Sequence, residues 1–179
     1  AGVFPFKRSD ELPLRMFAGL GSAESTNRRF HYLTKDQPFN RLSTAFDSVT
    51  LYGLDATDER LDVFSKICES GVSISNVDEM ERLFEGFDLC APNTSVSLTI
   101  NGPYWAILAF YFKTAIRQQI KLFEAAHGRE PSEDEESEIR ALVLSKVRGS
   151  CQSDMYKEVV GGQNTALFNL TNALNMMTD

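Results

Sequence analysis

The sequence predicts an α/β fold in which short parallel strands alternate with helices. Three observations support this class. Apolar residues recur at helical spacing in several segments, short β-like segments lie between them, and capping or turn residues separate the two. The chain has 179 residues, of which 42% are hydrophobic. That length is enough to bury a core and too short for two sizeable domains, so we expect one domain built on a parallel sheet or barrel.

The first half of the chain is predicted to begin with an extended arm over residues 1–20, rich in proline and charge. A helix over residues 22–35 follows, because Ser22 or Ser25 can cap it and apolar residues recur at helical spacing. The segments expected next are a strand over residues 42–47, a helix over 58–68, a strand over 71–75 and a helix that starts after Ser75 or Asn76 and stops at Gly86.

The second half begins with a strand over Thr94–Ile100, whose residues alternate cleanly between polar and apolar. Pro103 fits the first turn of a long helix that ends near Ala126. Ser132 and Glu135 form a capping box for a further helix. The segments expected after it are a strand over residues 147–152 and helices over 153–160 and 167–176.

Composition excludes several classes of function. The chain has 18 Lys and Arg against 25 Asp and Glu, a formal charge of -7, which argues against a nucleic-acid-binding protein. Three widely separated cysteines form no CxxC pair, which favours a reducing compartment, the cytoplasm. We expect no metal site, since the two histidines and the acidic run over residues 133–138 make no ligand cluster. No segment is long and apolar enough to predict a membrane span.

Small polar residues fall on or just after the predicted strands, where parallel α/β folds bind ligands. Ser95, Ser97 and Thr99 share one strand face by the two-residue period. Such a stripe of hydroxyls indicates a ligand cavity, or else hydroxyls bonded to neighbouring backbone, and spacing leaves both open. Asp47 and Asp154 can equally contact a ligand or cap the next helix.

Six sequence blocks occur in one order: RMFAG, TNRRFHYL, LSTAFDSVTLYGLD, SGVSISNVDEMERLFEGFDL, NTSVSLTINGP and RGSCQSDMYKE. Together they closely resemble the substrate-binding barrel of the adenosylcobalamin-dependent acyl-CoA mutases, the methylmalonyl-CoA mutase family. The resemblance extends to about Thr165. It implies a partial (β/α)8 TIM barrel of about four βα units, with residues 1–179 as its amino-terminal part and residues 121–147 as a helical insertion.

Two positions distinguish branches of that family. The methylmalonyl-CoA branch has a Tyr at the position of Phe17 and an Arg at the position of Gln163. Because Arg grips a carboxylate bidentately and Gln does not, the pair fits an acyl group without a free carboxylate. The chain looks most like the fused isobutyryl-CoA mutase branch, because of the GVFPFKR arm, the RLSTAFDSVTLYG block and the long insertion that begins at Lys121. That resemblance implies an isomerase that interconverts isobutyryl-CoA and n-butyryl-CoA by radical rearrangement.

The resemblance also implies roles for individual residues. Gln152 would donate a hydrogen bond to the thioester carbonyl, and Phe17 would pack against substrate and cofactor. Phe46 and Ser70 would face the corrin. The expected substrate-binding residues are Lys7, Arg8, Ser43, Ser95, Ser97, Thr99, Ser150 and Gln163. Without the resemblance, Phe17 and Phe46 would be interpreted as core aromatics, and Lys7 and Arg8 as solvated charges.

The partners implied are the acyl-CoA substrate, the remaining barrel, and a cobalamin-binding domain or subunit that holds most of the adenosylcobalamin. A G-protein chaperone domain and an oligomeric state also follow from the resemblance, with no nucleic acid and no membrane. The family's catalytic His is expected beyond Asp179, so the isolated chain is expected to be inactive. The alternatives are a non-catalytic, truncated acyl-CoA-binding or partner-docking module, a methylmalonyl-CoA mutase-like enzyme, and an enzyme for another neutral or hydroxylated acyl-CoA.

Overall fold

The structure is a computed structural model that describes residues 16–59 and 65–154. At its centre lies a four-stranded parallel sheet in which spatial order follows chain order. The strands are β1 (Met16–Ala18), β2 (Asn40–Ala45), β3 (Thr94–Thr99) and β4 (Gly149–Cys151). Parallel neighbours need long crossover connections, and helices supply them here. Within the described ranges β1 and β4 each pair on one side only, so the sheet is open.

Side-chain caps set the starts of most of the described helices. Ser22 accepts a hydrogen bond from the backbone N–H of Ser25, and Ser132 with Glu135 completes both bonds of the predicted capping box. Pro103 lies at the N-cap, one position before the predicted first turn. The helices are α1 (Ala23–Thr34), α2 (Ser48–Leu51), α3 (Val77–Leu83), α4 (Tyr104–His127) and α5 (Glu133–Lys146).

One face of the sheet forms the core. Leu42, Val96 and Leu98 are at most 2% exposed and belong to one buried apolar cluster with the helix residues. Phe30 of α1 stacks on Phe84 with ring centroids 6.4 Å apart. Each such side chain contributes roughly 1.5–3 kcal/mol when fully buried. Because this face packs against the helices, the opposite face of the sheet is the one available for a ligand-binding site.

The strand predicted over residues 71–75 is wrong. Only Val72 pairs there, in isolated parallel bridges with Gly21 and Phe46. Its N–H donates to the carbonyl of Ala45 at 2.9 Å, and its own carbonyl accepts from Asp47 N–H at 3.0 Å. The segment therefore pairs at one residue with the chain just beyond β2 and does not form a strand.

Strand β1 is instead formed by Met16–Ala18, which the sequence placed in the extended arm. A three-residue strand is too short to show alternation, and its pairing with β2 is what defines it. The α/β class with parallel strands is confirmed, and the open sheet is consistent with part of a barrel.

Some predictions fall outside the described residues. These are the arm up to residue 15 and the helices over 153–160 and 167–176, except residues 153 and 154. The helix predicted over 58–68 is described only at its ends, where residues 65–68 form a turn. The domain bounds, 1–179 with an insertion at 121–147, stay a prediction, although residues 133–146 are helical.

Candidate functional site

Four predicted site residues lie in one row across the sheet. The backbone of Phe17 is in register with Ser43, Ser43 with Ser97, and Ser97 with Ser150. Residues paired in this way point to the same side of a sheet, and neighbouring strands lie about 4.8 Å apart. The hydroxyls of Ser97 and Ser150 are 3.0 Å apart and hydrogen-bonded. The row therefore places three serine side chains that are far apart in sequence on one side of the sheet, where Ser43 is buried and Ser150 is exposed.

Further polar residues lie on the same side of the sheet, before and after this row along the strands. In β3 the buried residues alternate with the half-buried Ser95, Ser97 and Thr99, as the two-residue period predicted. Thr99 is in register with Ala45 at the carboxyl end of β2. Gln152 lies two residues beyond Ser150, and its N–H donates to the carbonyl of Leu98 at 3.0 Å. Its side chain is exposed at the carboxyl edge.

Asp47 organises the loop at that edge. It is fully buried and caps α2, with one carboxylate oxygen 2.8 Å from Thr50 N–H and the other 2.7 Å from Cys68 N–H. The N–H of Ile74 donates a further bond to the hydroxyl oxygen of Thr50 at 2.9 Å. The capping role that the sequence left open for Asp47 is thus its role here. The bonds of Cys68 to Asp47 and of Ile74 to Thr50 hold the segment between them at the carboxyl end of β2.

This loop presents Ser70 to solvent. Cys68 and Ser70 adopt left-handed backbone angles, with φ of 61° and 59°. Gly71 follows, and a Cβ on it would lie 2.1 Å from the carbonyl carbon of Phe46, so only glycine fits. Non-glycine residues in this conformation persist when surrounding contacts hold them, as the bonds to Asp47 do.

Cys68 lies in the loop at the carboxyl edge of the sheet, and its N–H is bonded to the buried Asp47. Burial raises the pKa of the Cys68 thiol, and the negative charge of Asp47 raises it further, so the thiol stays protonated near neutral pH. Among the described residues no group of three His, Cys, Asp or Glu could hold a metal ion. In the same part of the chain no helix meets the length and hydropathy of a membrane span.

Several predicted residues do not join this surface. Lys7, Arg8 and Gln163 lie outside the described residues. Phe46 is only 3% exposed and belongs to the core cluster, as the alternative interpretation of it expected.

Sequence reasoning missed Arg41, which is in register with Ser95 on the polar side. Arg41 lies two residues before Ser43, and the two-residue period of a strand would have predicted that both side chains lie on the same face.

A parallel α/β sheet with helices on one face and hydrogen-bonding side chains on the other is typical of ligand-binding and catalytic domains. Within that class the comparison is specific. Residues 8–127, more than half of the chain, match the methylmalonyl-CoA mutase family model, and the chain belongs to that family.

Curated relatives match over the whole chain. They include the fused isobutyryl-CoA mutases of Nocardia farcinica, at 56% identity over 179 residues, and of Geobacillus kaustophilus, at 54%. The fused isobutyryl-CoA mutase of Cupriavidus metallidurans is also 54% identical over the same length. In each case the chain spans 16% of the length of the relative.

Proposed function

We propose that this chain supplies the acyl-CoA-binding part of a barrel in an acyl-CoA mutase that interconverts isobutyryl-CoA and n-butyryl-CoA. The observation that carries the proposal is the cross-strand row of Ser43, Ser97 and Ser150 on the polar side of the sheet. Similarity over all 179 residues of this chain to fused isobutyryl-CoA mutases supports the choice of substrate. The remaining barrel and a cobalamin-binding domain or subunit are the proposed partners, with a G-protein domain and self-association as further expectations.

The proposed pocket works through neutral hydrogen-bond donors. Gln152 donates its amide N–H to the thioester carbonyl, polarising it without offering an acidic proton that a reactive intermediate could take. Ser97 and Ser150, already bonded to each other, contact the acyl or thioester group, with Ser95 and Thr99 on the same face. Because these groups are held by a hydrogen-bonded sheet, the pocket needs little reorganisation during the reaction.

Substrate choice is proposed to depend on positions 17 and 163. Phe17 lacks the hydroxyl of a Tyr, and Gln163 lacks the charge of an Arg, so neither can pair with a free carboxylate. A neutral branched acyl group brings no charge into such a pocket, whereas the carboxylate of a carboxylated acyl group would be buried there without a cationic partner.

Adenosylcobalamin is the proposed cofactor, and its role in this chain is limited to contacts. When bound, it supplies the radical that starts the carbon-skeleton rearrangement. Ser70 fits as a contact residue because it is exposed on the loop at the carboxyl edge of the sheet. Phe46 does not fit in the described part of the chain, since its ring lies in the core. The residues of this chain bind and orient the acyl group and exclude water.

A chimera tests the proposal directly. The chain replaces the matching 179 residues of the Nocardia farcinica enzyme, and the chimera is assayed with adenosylcobalamin and either isobutyryl-CoA or methylmalonyl-CoA. Conversion of isobutyryl-CoA to n-butyryl-CoA is the expected result. No conversion by a folded, cofactor-loaded chimera would contradict the proposal, and preference for methylmalonyl-CoA would refute the argument from Phe17 and Gln163. Gln163→Arg should shift preference toward the carboxylated substrate.

A serine substitution tests the pocket. Ser97→Ala removes the hydroxyl that lies 3.0 Å from that of Ser150, and kcat/KM should fall by about tenfold, the worth of one hydrogen bond of about 1.4 kcal/mol. Ser137→Ala, on the exposed surface of α5, is the matched control and should change nothing.

A further inference from the structure

The chain leaves β4 by an irregular step just after Gln152. The N–H of Gln152 donates to the carbonyl of Leu98 at 3.0 Å. Bonds in a parallel pair advance two residues at a time on each strand, so the next donor of a regular ladder would be Asp154, to the carbonyl of Ile100. The N–H of Ser153 takes that place instead, 2.9 Å from the carbonyl of Ile100. The regular ladder therefore ends at Gln152, and the N–H of Asp154 needs another acceptor.

Asn101 supplies that acceptor. Its Oδ1 accepts from the N–H of Asp154 at 3.1 Å, and the Asn101 residue is only 6% exposed. It lies between Thr99, the last residue of β3, and Pro103, the N-cap of α4. A buried backbone N–H without an acceptor is costly, so this bond helps to keep the segment after β4 against the end of β3.

The bond from Asp154 to Asn101 also maintains a strained backbone. Ser153 has a φ of 34°, in the left-handed region that residues with a Cβ rarely adopt. Such a conformation persists where surrounding contacts hold it, and here the bonds of Ser153 and Asp154 do so. Loss of one bond lets Ser153 return toward ordinary angles, and Gln152, the residue directly before it, moves with the chain.

We propose that Asn101 is a positioning residue that keeps Gln152 where its amide can donate to the thioester carbonyl. This inference rests on the proposed function, which gives Gln152 that role. The Gln152 side chain is exposed, so its backbone sets the place from which the amide reaches the substrate. A displacement of about 1 Å in a group that acts on the reacting atoms costs roughly 100-fold in rate.

The test uses the chimera with the Nocardia farcinica enzyme and isobutyryl-CoA. Asn101→Ala should lower kcat by roughly 10- to 100-fold and leave KM within about threefold, because the other substrate contacts remain. Asn76→Ala is the matched control. The Oδ1 of Asn76 accepts from the N–H of Glu79 at 3.0 Å at the start of α3, so the same residue type loses the same kind of bond on another element. Its kcat should stay within about twofold.

A double-mutant cycle separates positioning from general damage. Gln152→Ala removes the amide itself, so adding Asn101→Ala should change kcat by less than about twofold. Three results overturn the proposal: an unchanged kcat of Asn101→Ala, a full further loss in the Gln152→Ala background, or an equal loss of kcat in Asn76→Ala.

Failure of the proposed function is separate, because the unsubstituted chimera would then not isomerise isobutyryl-CoA. Hydrogen exchange measured by mass spectrometry decides the positioning role in that event. In Asn101→Ala, the peptide that contains residues 152–154 should exchange about tenfold faster, the effect of one lost hydrogen bond, while the peptide that contains residues 94–99 should be unchanged. Unchanged exchange over residues 152–154, or equal acceleration of both peptides, refutes the positioning role.

Discussion

Replacing Asp47 by Ala should destabilise the chain more than any ordinary surface substitution. The change removes the side-chain cap of α2, which is worth about 1 kcal/mol. It also leaves the half-buried N–H of Cys68 without its 2.7 Å partner, at a cost of about 1–2 kcal/mol. The sum, about 2–3 kcal/mol, is a large part of the roughly 5–15 kcal/mol that stabilises a typical domain.

Asp47→Asn separates the two bonds. The amide oxygen can still accept from Thr50 N–H, but the amide nitrogen that replaces the second oxygen cannot accept from Cys68 N–H. We therefore expect an intermediate loss of about 1–2 kcal/mol. Asp55→Ala is the control, because this exposed carboxylate accepts two local bonds from Thr57, and its loss should cost under about 0.5 kcal/mol.

The assay is urea unfolding followed by far-ultraviolet circular dichroism. A shift of the midpoint with an unchanged m-value reports the change in free energy of unfolding. Equal stability of wild type and Asp47→Ala would refute the clamping role of both oxygens. Equal stability of Asp47→Asn and wild type would refute the bond to Cys68 alone.

Three further predictions follow from contacts elsewhere. Gly71→Ala should cost more than about 2 kcal/mol in urea unfolding, because its Cβ would lie 2.1 Å from a backbone carbonyl carbon. Gly128→Ala is the comparison: its Cβ would meet no atom within 4 Å, and only its left-handed φ of 67° opposes the change, so it should cost about 1 kcal/mol. Equal losses would contradict the close approach at Gly71. Hydrogen bonds from Arg129 lower the pKa of Glu135 from 4.5 to about 2, so the stabilising contribution of this carboxylate is complete above pH 4.5 and is lost as the pH falls toward 2. In thermal melts, Glu135→Gln should have a lower Tm than the unsubstituted chain at pH 6, and the difference should disappear near pH 2. A difference in Tm that does not depend on pH would contradict this. The raised pKa of Cys68 predicts alkylation by iodoacetamide at pH 7.5 that is slower than that of glutathione, measured by mass spectrometry, and an equal rate would contradict the burial of the thiol.

Much of the fold and of the candidate site could be predicted from local pattern. The alternation in Thr94–Ile100 is a property of neighbouring residues, and β3 has the predicted polar and apolar faces. The Ser132–Glu135 capping box is equally local, because its two bonds join residues three apart. The family resemblance rested on long sequence blocks and agrees with the match over residues 8–127.

Other features depend on contacts between distant segments. GVSIS, residues 71–75, has the composition of a strand, yet Val72 bonds across the end of β2 because Asp47 and Thr50 hold its flanks there. Met16–Ala18 becomes a strand only through pairing with β2. No local pattern specifies either outcome, since the partners are more than twenty residues away.

By itself the sequence determined the class of fold, the identity of the polar stripe on β3 and the family. Only the tertiary structure decided that Ser43, Ser97 and Ser150 share one row, that Asp47 is buried and bonded to two backbone N–H groups, and that Arg41 lies beside Ser95. The physical reason is register. Hydrogen bonds between parallel strands fix which residues lie side by side, and a slip of one residue would turn each of these side chains to the opposite face.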